Sequence, residues 1–209
     1  MSGKMVEVEG IIIERNSQSS VRLEAAGTVV YIDPYQISEA RKDANLILIT
    51  HDHYDHCDPE SVDKLKSENT VVIFPESCAS KMQGKTIKPG EVMNVNGISV
   101  IAVNAYNTAR FYGHKKGQCV GYVVSIGGKK IYHAGDTDRI PEMKQLGDIS
   151  MAFLPVGGTY TMTAEEAAAA VNEDIRPEIA IPMHYGTVVG SDEDANKFKQ
   201  LCNSKVVII

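Results

Sequence analysis

Residues 51 to 56 read His51-Asp52-His53-Tyr54-Asp55-His56, directly after Asn45-Leu46-Ile47-Leu48-Ile49-Thr50. The first run is apolar and strand-forming, so three imidazoles and two carboxylates begin where a buried strand runs out into a loop. That junction ties the fold to a site, because ligands at a strand end are held by a rigid element. His51 and His53 are two apart, which on an extended or tightly turned backbone lets both imidazoles share one cation. Asp55 and His56 follow as a second pair. Six consecutive residues are too few to wrap a tetrahedron around one ion, so two ions about 3.5–4 Å apart suit the spacing better. Imidazole nitrogen with carboxylate oxygen favours zinc, with manganese and iron as alternatives. A His-rich loop holding no ion is the competing reading, and such loops seldom sit directly on a buried strand.

The rest of the chain supplies a framework for that loop. Val6 to Glu14, Val21 to Glu24 and Thr28 to Asp33 are strand-like, the last stopped by Asp33-Pro34. Asp58 caps a helix with Pro59 at its first position, leading to Leu65. Val71 to Phe74, Ile98 to Val103, Val120 to Ile126 and Lys130 to His133 are further strands, the last two joined by a tight Gly127-Gly128 turn. Met151 to Pro155 precedes a helix from Ala164 to Val171, for which Thr163 and Glu166 form a capping box. Ile179 to Pro182 delivers His184, Ser191 caps a helix to Leu201, and Val206 to Ile209 closes the chain as a strand. Two strand-rich halves, each followed by helices, imply an α+β fold with two sheets face to face and helices outside.

Three stretches together resemble one known family. His51-Asp52-His53-Tyr54-Asp55-His56 matches the HxHxDH motif of the metallo-β-lactamase superfamily, with Thr50 its usual companion. Ile131-Tyr132-His133-Ala134-Gly135-Asp136-Thr137 is similar to the superfamily's Gly-Asp-Thr turn after a strand, and Ile181-Pro182-Met183-His184-Tyr185-Gly186 to its late histidine. The order is right and nearly the whole chain is covered. The chain looks most like the small members described as zinc-dependent hydrolases, relatives of ascorbate-6-phosphate lactonases and of the phospholipase D acting on N-acylphosphatidylethanolamines. The resemblance implies a four-layer αββα sandwich over residues 1–209 as one domain, with metals at one edge of the sheets. By the family pattern His51 and His53 hold one ion, Asp55, His56 and His184 the other, and Asp136 bridges them. Asp55 and His184 are the expected catalytic residues. Asp55 would orient a hydroxide drawn from water whose pKa two zincs lower from 15.7 to about 7.

The pattern has one gap, since a histidine expected near Val103-Asn104-Ala105-Tyr106-Asn107 is missing. Asn107, Tyr106 or a folded-back His114 are the candidates for that ligand, with His114 preferred; with no replacement the site would be mononuclear. His133 reads as a hydrogen-bonded core histidine rather than a ligand. Asp52, with Asp33 and Thr50 as further candidates, is expected to orient a ligand imidazole. Cys57, next to His56, is expected to line the pocket. The run Val156 to Met162 lies between a strand and a helix, where its amides could receive an anionic group or simply reverse the chain. Loops Thr108 to Gly117 and Gly157 to Met162 are expected to set the substrate.

The 209 residues are 43% hydrophobic and 23% charged, enough for one buried core. No apolar stretch is long enough for a membrane span or a signal peptide, and four scattered cysteines suit a reducing compartment, so a cytoplasmic protein is expected. A formal charge of −6 opposes nucleic-acid binding. The sequence therefore predicts a hydrolase of a small substrate carrying an ester, lactone or phosphodiester bond. A non-catalytic metal-binding or sensor protein on the same fold is the alternative. An iron redox site is a third option, disfavoured because its relatives usually carry a flavin domain.

Overall fold

The computed structural model describes residues 4–108 and 113–209. Among them, fourteen strands form two seven-stranded sheets in which spatial order follows chain order. In the first, β1 (Lys4–Val8), β2 (Ile11–Ser17), β3 (Ser20–Ala25) and β4 (Thr28–Ile32) are antiparallel, and β5 (Ala44–Leu48), β6 (Lys66–Phe74) and β7 (Lys85–Thr86) continue in parallel. The second repeats the scheme. Here β8 (Val92–Val95), β9 (Ile98–Ala105), β10 (Cys119–Ile126) and β11 (Lys129–His133) are antiparallel, followed by parallel β12 (Met151–Pro155), β13 (Ile179–Met183) and β14 (Lys205–Val206). Each half is thus a four-stranded meander extended by three parallel strands, and parallel pairing requires crossovers. The crossovers contain α1 (Pro59–Leu65) in the first half and α2 (Ala164–Ala169) and α3 (Asp192–Leu201) in the second.

Side-chain alternation makes this an αββα sandwich. Along β5, Leu46 and Leu48 face the core between the sheets, with Ile13, Leu23, Val100 and Tyr122. Ile47 and Ile49 face the other way, under Val62 and Leu65 of α1. A strand buried on both faces reads as a continuous apolar run, as residues 46–49 do. On the far side α2 and α3 pack on each other and on β12 and β13.

Several boundaries depart from expectation for local reasons. Val6 to Glu14 is not one strand but the β1–β2 hairpin, because Glu9 and Gly10 take φ of 51° and 79°, the two left-handed conformations of a tight hairpin turn. The helix expected over Ala164 to Val171 is α-helical to Ala169 and widens into a π-helical stretch, Ala170–Ile175, ended by left-handed Arg176 before Pro177. Only Lys205–Val206 of the closing segment pairs as a strand. The capping box is present: Thr163 Oγ1 accepts from Glu166 N at 3.2 Å, and Thr163 N donates to Glu166 Oε2 at 2.8 Å. Thr163→Ala is expected to destabilise the fold by about 1 kcal/mol, read as a lower urea midpoint at unchanged slope.

The parallel strands carry the site. Loops after β5, β11 and β13 leave the carboxyl ends of the strands at one edge, where open α/β sheets place their ligands. Tyr122 Oη donates to Ile49 O at 2.7 Å and Val120 N to Thr50 O at 3.0 Å, stitching the two sheets together beside the motif. Gly135 takes a φ of 63°, and a Cβ there would lie 2.9 Å from Val120 O and 3.1 Å from Thr50 Cβ. Only glycine allows the Asp136 turn to approach so closely.

Candidate metal centre

His51, His53, Asp55, His56, His114, Asp136 and His184 converge at this edge. Their potential ligand atoms form three groups, each within 4.8 Å: His51, His53 and His114; His51, His56 and Asp136; Asp55, His56 and His184. Asp136 sits among them. Its Oδ2 is 3.1 Å from His184 Nε2, 3.8 Å from His114 Nε2 and 3.9 Å from His51 Nε2, and its Oδ1 is 3.4 Å from His56 Nε2. Asp55 Oδ2 is 3.7 Å from His56 Nε2.

Hydrogen bonds around the cluster orient the rings. Asp33, at the end of β4 and fully buried, accepts from Thr50 N at 2.7 Å, Thr50 Oγ1 at 2.6 Å and His56 Nδ1 at 2.7 Å. With its proton committed to Asp33, the Thr50 hydroxyl oxygen is left to accept from His51 Nδ1 at 2.9 Å. These bonds place a proton on Nδ1 of both rings and turn Nε2 inward, the nitrogen that a metal would take. Asp52 does not serve this role: its side chain bonds no imidazole among the described residues, and the orienting carboxylate comes from Asp33, 23 positions away from His56.

His114 lies beside His51 and His53, where the motif has its gap. It is buried, its Nε2 lies 3.2 Å from His53 Nδ1, and its Nδ1 donates to Asn107 Oδ1 at 2.6 Å. Asn107 Nδ2 in turn donates to Asp138 Oδ1 and to Tyr160 O, both at 2.9 Å, which fixes the amide so that its oxygen faces the ring. Asn107 and Asp138 thus act through His114. Residues 109–112 of the loop expected to set the substrate lie outside the described residues.

Other expectations resolve differently. His133 is a core histidine, its Nδ1 accepting from Gly135 N at 3.2 Å and its Nε2 donating to Ser19 O at 3.0 Å. Cys57 does not line the pocket but packs with Cys78 in the apolar layer beneath α1, because the turn after His56 directs it behind the sheet. Three amides of the 157–162 run are engaged within the protein, as a chain-reversing turn requires. Gly158 N donates to Met162 O at 3.1 Å, Thr159 N to Gly157 O at 3.0 Å and Met162 N to Thr137 O at 3.3 Å. Gln18 had no signal in the sequence, yet its carbonyl accepts from His184 N at 3.0 Å and its side-chain oxygen from Val188 N at 3.1 Å. It pins both ends of the segment carrying His184.

The electrostatics suit a bound cation. Burial pushes Asp136 upward, but His184 and His56 outweigh it and hold the carboxyl well below its ordinary value. Burial lowers His56, but Asp136 and Asp33 outweigh it and hold the ring well above. His51 is pushed well below, by burial first and then by His56. A buried carboxylate stays ionised only where positive charge faces it. Moreover, His51 Nε2, His56 Nε2 and Asp136 Oδ1, which face one another in the cluster, are buried without a hydrogen-bond partner. Orphaned buried polar atoms are costly, and three facing one another fit a coordination site. Imidazoles and carboxylates together suit a divalent transition metal.

The chain is similar to known metal-dependent hydrolases. The model of the Beta-lactamase superfamily domain matches residues 13–184. UPF0173 metal-dependent hydrolases of Thermoplasma acidophilum and Methanopyrus kandleri are 35% and 34% identical over 189 and 202 residues. These alignments cover 84% and 87% of this chain and the same shares of the relatives. A crystal structure from Parabacteroides distasonis, of a provisionally assigned metal-dependent hydrolase, superposes with a TM-score of 0.85 at 31% identity, covering 99% of this chain and 97% of its own. Igni18, a metallo hydrolase of Ignicoccus hospitalis, superposes with a TM-score of 0.78 at 26% identity, covering 95% of this chain and 94% of its own.

Proposed function

Because this chain belongs to the β-lactamase superfamily, as one of its UPF0173 metal-dependent hydrolases, we propose that it uses two zinc ions to hydrolyse an ester, lactone or phosphodiester bond of a small substrate. In this reading residues 1–209 act as one hydrolase domain. His51, His53 and His114 would hold one ion, Asp55, His56 and His184 the other, with Asp136 within reach of both groups. The observation that carries the reading is the set of three buried, unpartnered ring and carboxylate atoms, His51 Nε2, His56 Nε2 and Asp136 Oδ1, facing one another in one cluster. When bound, such ions lower the pKa of water to about 7 and polarise the bond under attack.

The chain's own groups do the rest. Asp55 lines the cleft and is 7% exposed, so its carboxylate can accept a proton from the attacking water at the cleft floor. His184 lines the same cleft and has Nε2 3.1 Å from Asp136 Oδ2, which fixes the ring opposite Asp55 and His56. Asp33, Thr50 and Asn107 keep three rings in the tautomer and orientation that leave Nε2 free. No serine or cysteine nucleophile is needed.

Elemental mass spectrometry of protein purified without added metal tests the centre. About two ions per chain are expected in the wild type, falling toward one in His114→Ala, together with chelator-sensitive turnover of p-nitrophenyl esters or bis-p-nitrophenyl phosphate. One ion in both proteins would remove His114 from the site. Two ions with no turnover on the whole panel would favour a metal-binding protein over a hydrolase.

A further inference from the structure

Resting on the hydrolase reading, we infer that the substrate bears an uncharged apolar arm, alkyl or aryl, beside its scissile bond, and that Tyr54, Tyr160 and Val188 receive it. A cleft of about 480 Å³ opens over the candidate metal centre, within the usual range for small-ligand sites. Its floor is polar, with Asp55, His114, Asp136 and His184, while Tyr54, Tyr160 and Val188 stand around it. These three are 64%, 50% and 39% exposed, and they are half of the six large hydrophobic residues that the described surface exposes. Isolated surface hydrophobics are ordinary, but their convergence around one polar floor marks a binding surface.

Each of the three is held in place. The Tyr54 ring meets Tyr35 edge-on, with centroids 6.0 Å apart. Tyr160 O accepts from Asn107 Nδ2 at 2.9 Å, the same amide that orients His114. Val188 N donates to Gln18 Oε1 at 3.1 Å. An apolar surface anchored to the residues that orient the floor is preorganised for a ligand spanning both.

Among the described residues, little at the cleft favours an anionic arm. Gly158 N and Thr159 N bond within their own turn and Met162 N bonds Thr137 O, while the first turn of α2 is closed by Thr163 and Glu166 and carries two glutamates. Among the described residues, no lysine or arginine lines the cleft.

Isothermal titration of the protein as purified with alkyl hydroxamates tests the arm separately from turnover. From acetohydroxamate to octanohydroxamate, affinity is expected to rise roughly threefold per methylene until the arm outgrows the cleft. Val188→Ser and Tyr54→Ser should each flatten that rise, and Tyr54→Phe should keep it. Equal affinity across the series, a slope unchanged in both serine variants, or tighter binding of the monohydroxamate of succinic acid would overturn the inference. Failure of every hydroxamate to bind would overturn both it and the metal centre. A length-dependent series without hydrolysis of the matching p-nitrophenyl esters would uphold the apolar surface and overturn the hydrolase.

Discussion

Asp136→Ala is expected to lose turnover by more than the 10²–10³-fold that removal of one preorganised electrostatic group typically costs, because it also empties the centre of metal. The side chain is 3% exposed and lies within 3.9 Å of an Nε2 on each of four imidazoles. No other carboxylate among the described residues reaches both the His51, His53, His114 group and the Asp55, His56, His184 group. Without it, two cations would be held a few ångströms apart with Asp55 as the sole anionic ligand, and occupancy should fall from about two ions toward one or none. The fold should persist. The backbone here is held independently, by Ala134 N to Phe153 O at 3.0 Å and Asp138 N to Tyr106 O at 3.0 Å. Removing a buried carboxylate also removes its desolvation penalty. Elemental analysis, turnover and circular dichroism on one preparation check all three points. Native dichroism with full turnover would show that Asp136 does not hold the metals.

What the sequence revealed follows the range of the interactions involved. Strand β5 and the motif after it were legible because burial on both faces leaves a continuous apolar run and the histidines interrupt it abruptly. The capping residues Asp58 and Thr163 were legible because their bonds span two or three positions. The β1–β2 hairpin was not, since Val6 to Glu14 is apolar or strand-compatible on either side of Glu9-Gly10, and only the backbone dihedrals separate two strands from one. Asp52, inside the motif, was the preferred residue for orienting an imidazole, and Asp33 only a further candidate, since chemistry alone gives both a carboxylate. The parallel pairing of β4 with β5 decided between them, bringing residue 33 beside residues 50 and 56. His114 was recoverable as a candidate but not its support, because Asn107 and Asp138 meet only when the loops after β9 and β11 come together. Tyr54 and Val188 looked like any exposed hydrophobics until the fold placed them around one cleft.

Asp33→Asn is expected to keep the fold and weaken the metal centre, separating the two roles of that carboxylate. Asp33 has a φ of 48°, a conformation asparagine also tolerates, so the swap imposes little backbone strain. Asparagine's oxygen can still accept from Thr50 N, but its NH₂ must face His56 Nδ1, where the carboxylate accepted at 2.7 Å. His56 Nδ1 must then accept, which moves the ring proton to Nε2, the atom 3.4 Å from Asp136 Oδ1 in the cluster. An N–H there cannot ligate a metal. Loss of such an orienting partner typically weakens metal binding 10–100-fold, which competition with a chromophoric chelator measures directly. Asp33→Ala should behave differently. It strands Thr50 N, Thr50 Oγ1 and His56 Nδ1 at a site with no solvent exposure, and loss of one partner from such a buried network costs about 3–5 kcal/mol. At about 2–4 °C per kcal/mol for a chain of this size, its melting temperature should fall by roughly 6–20 °C, whereas Asp33→Asn should stay near the wild type. Wild-type metal affinity in Asp33→Asn would mean that His56 is not held through its Nδ1 proton.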